Sequence, residues 1–149
     1  MSFVSAISAS RRTLPAFAAE GVFWGTFAAY VPQIKAAIGA SDGLFGLILL
    51  ATATGAVVAM WFAPRFETIT GRGGMAVAAV MLALSFQAPM WVSAPLVFCM
   101  LMVTVGASAG LLDVVMNAQV SRIEAERGLP LMNLNHGVFS LGPVMLSPL

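Results

Sequence analysis

Five long apolar segments constrain this chain more than any motif in it. They cover about residues 14–34, 43–62, 75–92, 94–118 and 133–149. A helix needs roughly 20 apolar residues to cross the hydrocarbon of a bilayer. Within lipid every backbone polar group must find its partner inside the segment or its neighbours, which leaves helices as the natural solution. The first four segments therefore read as complete transmembrane helices, and the last, at Leu149, as the start of a fifth. Composition excludes a soluble core: 60% of residues are hydrophobic and 9% are charged, against roughly 25% charged in a soluble domain. The expected fold class is an all-α integral membrane protein, with residues 1–149 forming one membrane domain and no linker to a soluble one.

Loop charges give the expected orientation. Arg11 and Arg12 precede the first segment, Arg65 and Arg72 lie between the second and third, and Arg122 and Arg127 follow the fourth. If the helices alternate, these all fall on one side, and only Lys35 falls on the other. The positive-inside rule puts the N-terminus in the cytoplasm. The expected location is the plasma membrane, a bacterial inner membrane, with the chain crossing it several times. Trp61 and Trp91 are expected at helix ends as interface anchors. Ser41-Asp42 is a good N-cap pair for the second helix. The stretch SRIEAERG is expected to extend the fourth helix into water, its charges forming a solvated face, with Gly128 and Pro130 ending it. Ser10-Arg11-Arg12 resembles a twin-arginine signal, but no apolar region separates it from the cleavage-like Ala16-Phe17-Ala18. The first segment therefore reads as an uncleaved transmembrane helix.

The polar residues inside the apolar segments are the functional candidates, because an ionisable side chain at membrane depth survives mainly where it faces protein or a watery cavity. Gly106, Gly110, Asp113 and Asn117 form one stripe of the fourth helix, at i, i+4, i+7 and i+11. The glycines would let a second helix approach closely; Gly21 and Gly25 form a similar pair on the first helix. Glu20 lies about 12 Å beyond Arg12, and Asp113 about 13 Å before Arg122, along their helix axes. The two carboxylates thus sit at similar depth from the same membrane face. His136 opens the fifth helix, with Asn133, Gly137 and Ser140 at helical spacing, and an imidazole can exchange protons. Trp24, one turn from Glu20, with Tyr30 and Gln33 further out, would suit a sugar or another polar organic solute as cavity lining. Pro32 is expected to kink the outer end of the first helix.

Other chemistries lack their residues. The one cysteine, Cys99, lies in an apolar run and reads as a small buried hydrophobe. One cysteine and one histidine make no conventional metal site. No phosphate loop, HExxH or basic patch for nucleic acid is present. No enzyme activity, cofactor or metal is expected.

Several motifs resemble a known family. G-A-S-A-G-L-L-D-V-V-M-N (residues 106–117) is followed by E-x-x-x-G-L-P-L-M-N-L-N-H-G-V-F-S-L-G (residues 124–142). The first helix adds W-x(7)-P-x-I on Trp24, Pro32 and Ile34, then G-x-S-x-x-L-F-G at residues 39–46. Over about residues 14–145 the chain resembles the N-terminal part of the major facilitator superfamily, in its fucose-permease-like branch. The family's loop between helices two and three, usually G-x-x-x-D-R-x-G-R-R, is partial. Here Arg65, Gly71 and Arg72 remain, Pro64 stands at the first glycine and Thr68 at the aspartate.

The resemblance implies a partial major-facilitator fold, and a twelve-helix transporter working by alternating access through two inverted-repeat halves. It implies secondary, proton-coupled transport through the acidic residues Glu20 and Asp113, while the substrate choice of its relatives does not carry over. With Asn117 and His136 from the residue reading above, these are the expected substrate or coupling residues, and the expected reaction is symport of a sugar or similar small polar solute. Its expected partners are the lipid bilayer, a small polar solute, protons, and the missing C-terminal helices. Two alternatives stand beside it: an exporter of drugs or metabolites with the same fold, and a truncated membrane fragment that packs with partner helices and transports nothing.

Overall fold

A single substitution of local geometry shapes the first apolar segment. The helix α2 (Leu14–Ala29) stops at Tyr30, whose N–H bonds back to Thr26 O and Phe27 O, and a short helix α3 (Val31–Ala37) begins immediately after it. Pro32 falls in the first turn of α3, where its missing N–H costs nothing. The segment expected to run to residue 34 with a kink at Pro32 is instead interrupted at Tyr30, two residues before the proline. This computed structural model describes residues 3–146, so the end of the fifth segment, residues 147–149, lies outside the described residues.

The other elements follow in order. A short helix α1 (Phe3–Ala9) precedes α2 and was not anticipated from the sequence. After α3 come α4 (Asp42–Thr70), a 3-10 turn at Gly71–Gly73, α5 (Gly74–Gln87), a second 3-10 turn at Ala88–Trp91, α6 (Pro95–Arg127) and α7 (Met132–Leu146). No strand occurs among the described residues. Among the described residues two stretches, Asp42–Trp91 and Pro95–Arg127, are long and apolar enough to cross a membrane. The first of these is broken by the glycine turn between α4 and α5, where Gly71 takes φ +53° and its N–H bonds Glu67 O.

Local signals explain most helix ends. Ser41 Oγ accepts a hydrogen bond from Leu44 N at 3.3 Å and so caps α4. Lys35 forms an exposed ion pair with Asp42 across the preceding turn, worth about 1 kcal/mol or less. Gly128, at φ +64°, ends α6 with its N–H on Glu124 O. The end of α4 differs from the sequence reading. α4 continues eight residues past Phe62, through Pro64, because a proline removes only one ladder bond and a helix in apolar surroundings keeps the rest. Trp61 consequently sits within α4 rather than at its end, although it is 79% exposed; Trp91 closes the second 3-10 turn and is 86% exposed.

The chain divides into two compact units. One is drawn from Met1–Val31 and Met116–Leu149, the other is Pro32–Val115, and α6 contributes to both. In the second unit α6 crosses α4 at small residues. A Cβ on Gly106 would land on the backbone carbonyl of Thr52, one on Gly110 would lie 2.6 Å from Ala56 O, and one on Gly55 would meet Val103 O. Ala59, Ala63 and Leu111 continue this contact as a core, flanked by Phe66, Ala107 and Val114. The pairings 52 with 106 and 56 with 110 rise together, so α4 and α6 run parallel. Leu47, Leu50, Val57, Phe62, Leu84 and Leu96 are exposed around this unit. So large an apolar surface suits lipid, whereas water-soluble monomers keep such patches small.

Candidate functional site

The first unit is built on α2 and α7. Gly21 makes the close approach: a Cβ there would strike the carbonyl of Phe139, and a Cβ on Gly142 would lie 2.7 Å from Gly21 O. Thr13 pairs with Asn135, Phe17 with His136, and Gly21 with Phe139 and Gly142, so these helices also run parallel. In both pairs the partners are an even number of segments apart, four for α2 with α7 and two for α4 with α6, which is the separation that lets neighbours in an alternating bundle run parallel.

A polar seam runs up this contact. At its base Ser10, Thr13 and Asn135 are fully buried. Thr13 Oγ1 donates to Asn135 Oδ1 at 2.7 Å, and Asn135 Nδ2 donates to Ser10 Oγ at 3.1 Å and to Leu131 O at 2.9 Å. Satisfied groups of this kind hold a register, whereas removing one partner would strand the others at a cost of about 1–3 kcal/mol. Next to Asn135 on α7, His136 Nε2 lies 3.1 Å from Asn117 Oδ1 on α6. The amide oxygen can only accept, so Nε2 is the donor of this contact. The imidazole also stands edge-on to Phe17, with centroids 5.1 Å apart and planes at 75°. Glu20, on the next turn of α2, is 4% exposed.

The predicted site residues are distributed as follows. Asn117 and His136, proposed from different segments, are in direct contact. Glu20 shares their unit; Asp113 lies half-buried on α6, one turn before Asn117, within the other unit. Trp24 is half-buried and edge-packed on Phe23 and Phe27 of its own helix, at 5.5 Å and 5.8 Å between centroids. Tyr30 is exposed, and Gln33 is exposed on α3 in the second unit. Gly25 is buried on α2. Arg65 lies inside α4, and Gly71 and Arg72 lie in the turn after it, all exposed. Asn133, which the spacing had associated with His136, is exposed, and Asn135 takes the buried position instead.

Glu124 corrects a second expectation. It is not part of a solvated face: its Oε1 accepts from Met132 N at 2.7 Å and also from Leu131 N. The carboxylate thus caps the start of α7, where two otherwise orphaned N–H groups and the positive helix end favour an anion. The sequence held a signal for the buried stripe: Leu131, Asn135, Phe139 and Gly142 repeat at i, i+4, i+8 and i+11.

Among the described residues no three His, Cys, Asp or Glu side chains gather as metal ligands. The second unit has a groove of about 640 Å³ between α4 and α6, lined by Leu50, Thr54, Val58, Phe62, Val103 and Leu111 among others. Its walls are almost wholly apolar, which suits lipid or a neighbouring helix and not a polar solute.

Similarity to known proteins agrees with a membrane assignment. The chain is 31% identical over 143 residues to an uncharacterized MFS-type transporter of Yersinia pestis, covering 93% of this chain and 36% of that protein. It is 32% identical over 132 residues to membrane protein MosC of Rhizobium meliloti, covering 85% of this chain and 31% of the relative. To an uncharacterized transporter of Sinorhizobium fredii it is 28% identical over 137 residues, covering 87% and 34%. The chain thus spans about a third of the length of these relatives. No family model matches it, and no solved structure matches at a significant level. The chain is an all-helical protein related to membrane transporters.

Proposed function

We propose that this chain is the N-terminal part of a secondary transporter of the major facilitator superfamily, in its fucose-permease-like branch. The whole protein carries a sugar or similar small polar solute with protons, by alternating access. The N-terminus is cytoplasmic and the membrane is a bacterial inner membrane. The observation that carries this reading is the polar seam: Glu20 is almost fully buried in an apolar helix, on the same unit as the Asn117–His136 pair. Burying ionisable groups among apolar helices is costly and is characteristic of substrate and proton paths. The related proteins named as transporters support the same reading.

In this account Glu20 and Asp113 supply the carboxylates. Asn117 fixes the imidazole of His136, and the Ser10–Thr13–Asn135 cluster holds α7 in register on α2. Gly71 and Arg72 form the joint between α4 and α5, and Arg65 lies on the last turns of α4 before it. The remaining helices of the longer protein complete the cavity.

The test is made on the longer protein that contains this chain. Cells expressing it are placed in weakly buffered medium, and a panel of neutral sugars is added. The expected result is alkalinisation of the medium with at least one sugar, as protons enter with it. Failure of every polar solute, together with increased efflux of amphipathic compounds, would replace this reading with an exporter. No movement of any solute, in either direction, would leave a membrane module without transport activity.

A further inference from the structure

The helix α1 has no role in the transport reading, and its surface divides three ways. At about 100° per residue, Phe3, Ile7 and Val4 fall in one arc, and they are 69%, 41% and 74% exposed. Ser5 and Ser8 fall in the next arc and are also exposed. Ala6 and Ala9 fall in the third, and they are buried. The helix is fixed to its unit and does not hang loose. Ser10 and Thr13, which follow it, are locked to Asn135 of α7. The same turn points Arg11 and Arg12 outward. No acidic residue occurs before Glu20, so nothing nearby in the chain offsets their charge.

We propose that α1 is an interfacial helix that docks on anionic phospholipid. Phe3, Val4 and Ile7 enter the boundary between headgroups and acyl chains, and Arg11 and Arg12 bind the anionic headgroups beside it. The inference rests on reading the chain as membrane-spanning. Arg12 stands two residues before Leu14, where the apolar helix α2 begins, which sets α1 at the level where headgroups lie. Three faces toward lipid, water and protein are what a helix lying in the membrane plane beside a bundle requires. Short amphipathic helices bind in this way by combining apolar insertion with attraction to anionic lipid.

The test uses the full chain in a Cys99→Ser background, in vesicles of phosphatidylcholine with phosphatidylglycerol. Nitroxides are placed at Val4→Cys, Ser8→Cys and Leu50→Cys, and their depth is read from relaxation by oxygen and by a water-soluble nickel chelate. The Val4 label is expected roughly 5–10 Å below the headgroup surface, with the Ser8 label in water. A fluorophore at Ser8→Cys, one turn from both arginines, is expected to be quenched by headgroup-labelled phosphatidylglycerol on the order of tenfold more effectively than by labelled phosphatidylcholine. Arg11→Gln with Arg12→Gln should abolish that preference and leave the Leu50 label in lipid. A Val4 label as open to nickel as Ser8, or shielded from both relaxants by protein, would overturn the apolar docking. Equal quenching by the two lipids would overturn the arginine contact. The Leu50 label separates the two levels of the argument: if it too lies in water, the membrane reading itself fails.

Discussion

Gly106→Ala is expected to destroy the α4–α6 pair, although it adds only one methyl group. That methyl would occupy the position of the Thr52 carbonyl. The obstacle is backbone, so no rotamer change relieves it, and the helices must separate. Separation also opens the contacts of Gly55 with Val103 and Gly110 with Ala56, and the core of Ala59, Ala63 and Leu111 beyond them. Close packing is the main force between helices in lipid, where burial from water is already complete. The expected loss is about 3 kcal/mol or more, at the upper end of what overpacking costs. Size-exclusion chromatography and thermal unfolding in detergent would show aggregation or a much lowered melting temperature. Gly46→Ala is the control: its added methyl meets nothing within 4 Å, so it should be neutral or slightly stabilising through helix propensity. Equal stability of the two variants would mean that α6 does not cross α4 at Gly106.

Asp113→Asn is expected to abolish uphill accumulation in the longer transporter while leaving it folded and inserted. The substitution preserves shape and removes the charge. Asp113 lies one turn before Asn117 on α6, and Asn117 is itself held by His136. Proton-driven uptake and solute exchange at zero gradient divide its role. Lost accumulation with preserved exchange would make Asp113 a coupling carboxylate. Loss of both would make it a substrate anchor. Normal accumulation would contradict either role and turn attention to Glu20, the more deeply buried acid.

The features legible in the sequence were those set by local chemistry. The cap at Ser41, the stop at Gly128 and the continuation of α6 through SRIEAERG each depend on a few adjacent residues, and each stands as read. Gly106 and Gly110 could be singled out by spacing, but their partner helix could not, because small residues say that something approaches closely and not what it is. Other features depended on distant partners. Glu124 looks solvated until α7 presents two N–H groups to it. Asn135 was passed over for Asn133 because only the seat of α7 on α2 decides which asparagine is buried. The helix α1 was missed because seven residues with serines interspersed carry too little periodicity to stand out. The end of α4 lies beyond the expected Phe62 because the apolar run stops before the helix does, which continues through Pro64 to Thr70.

The central claim, that this chain crosses a membrane as part of a transporter's helical bundle, is tested most directly across α4. In a Cys99→Ser background of the longer protein, Ser41→Cys marks one end of that helix and Arg72→Cys the turn beyond the other. Intact cells are treated with a membrane-impermeant maleimide. The account predicts that Ser41→Cys reacts from outside and that Arg72→Cys reacts only after permeabilisation. Labelling of both positions from the same side of an intact membrane would contradict it.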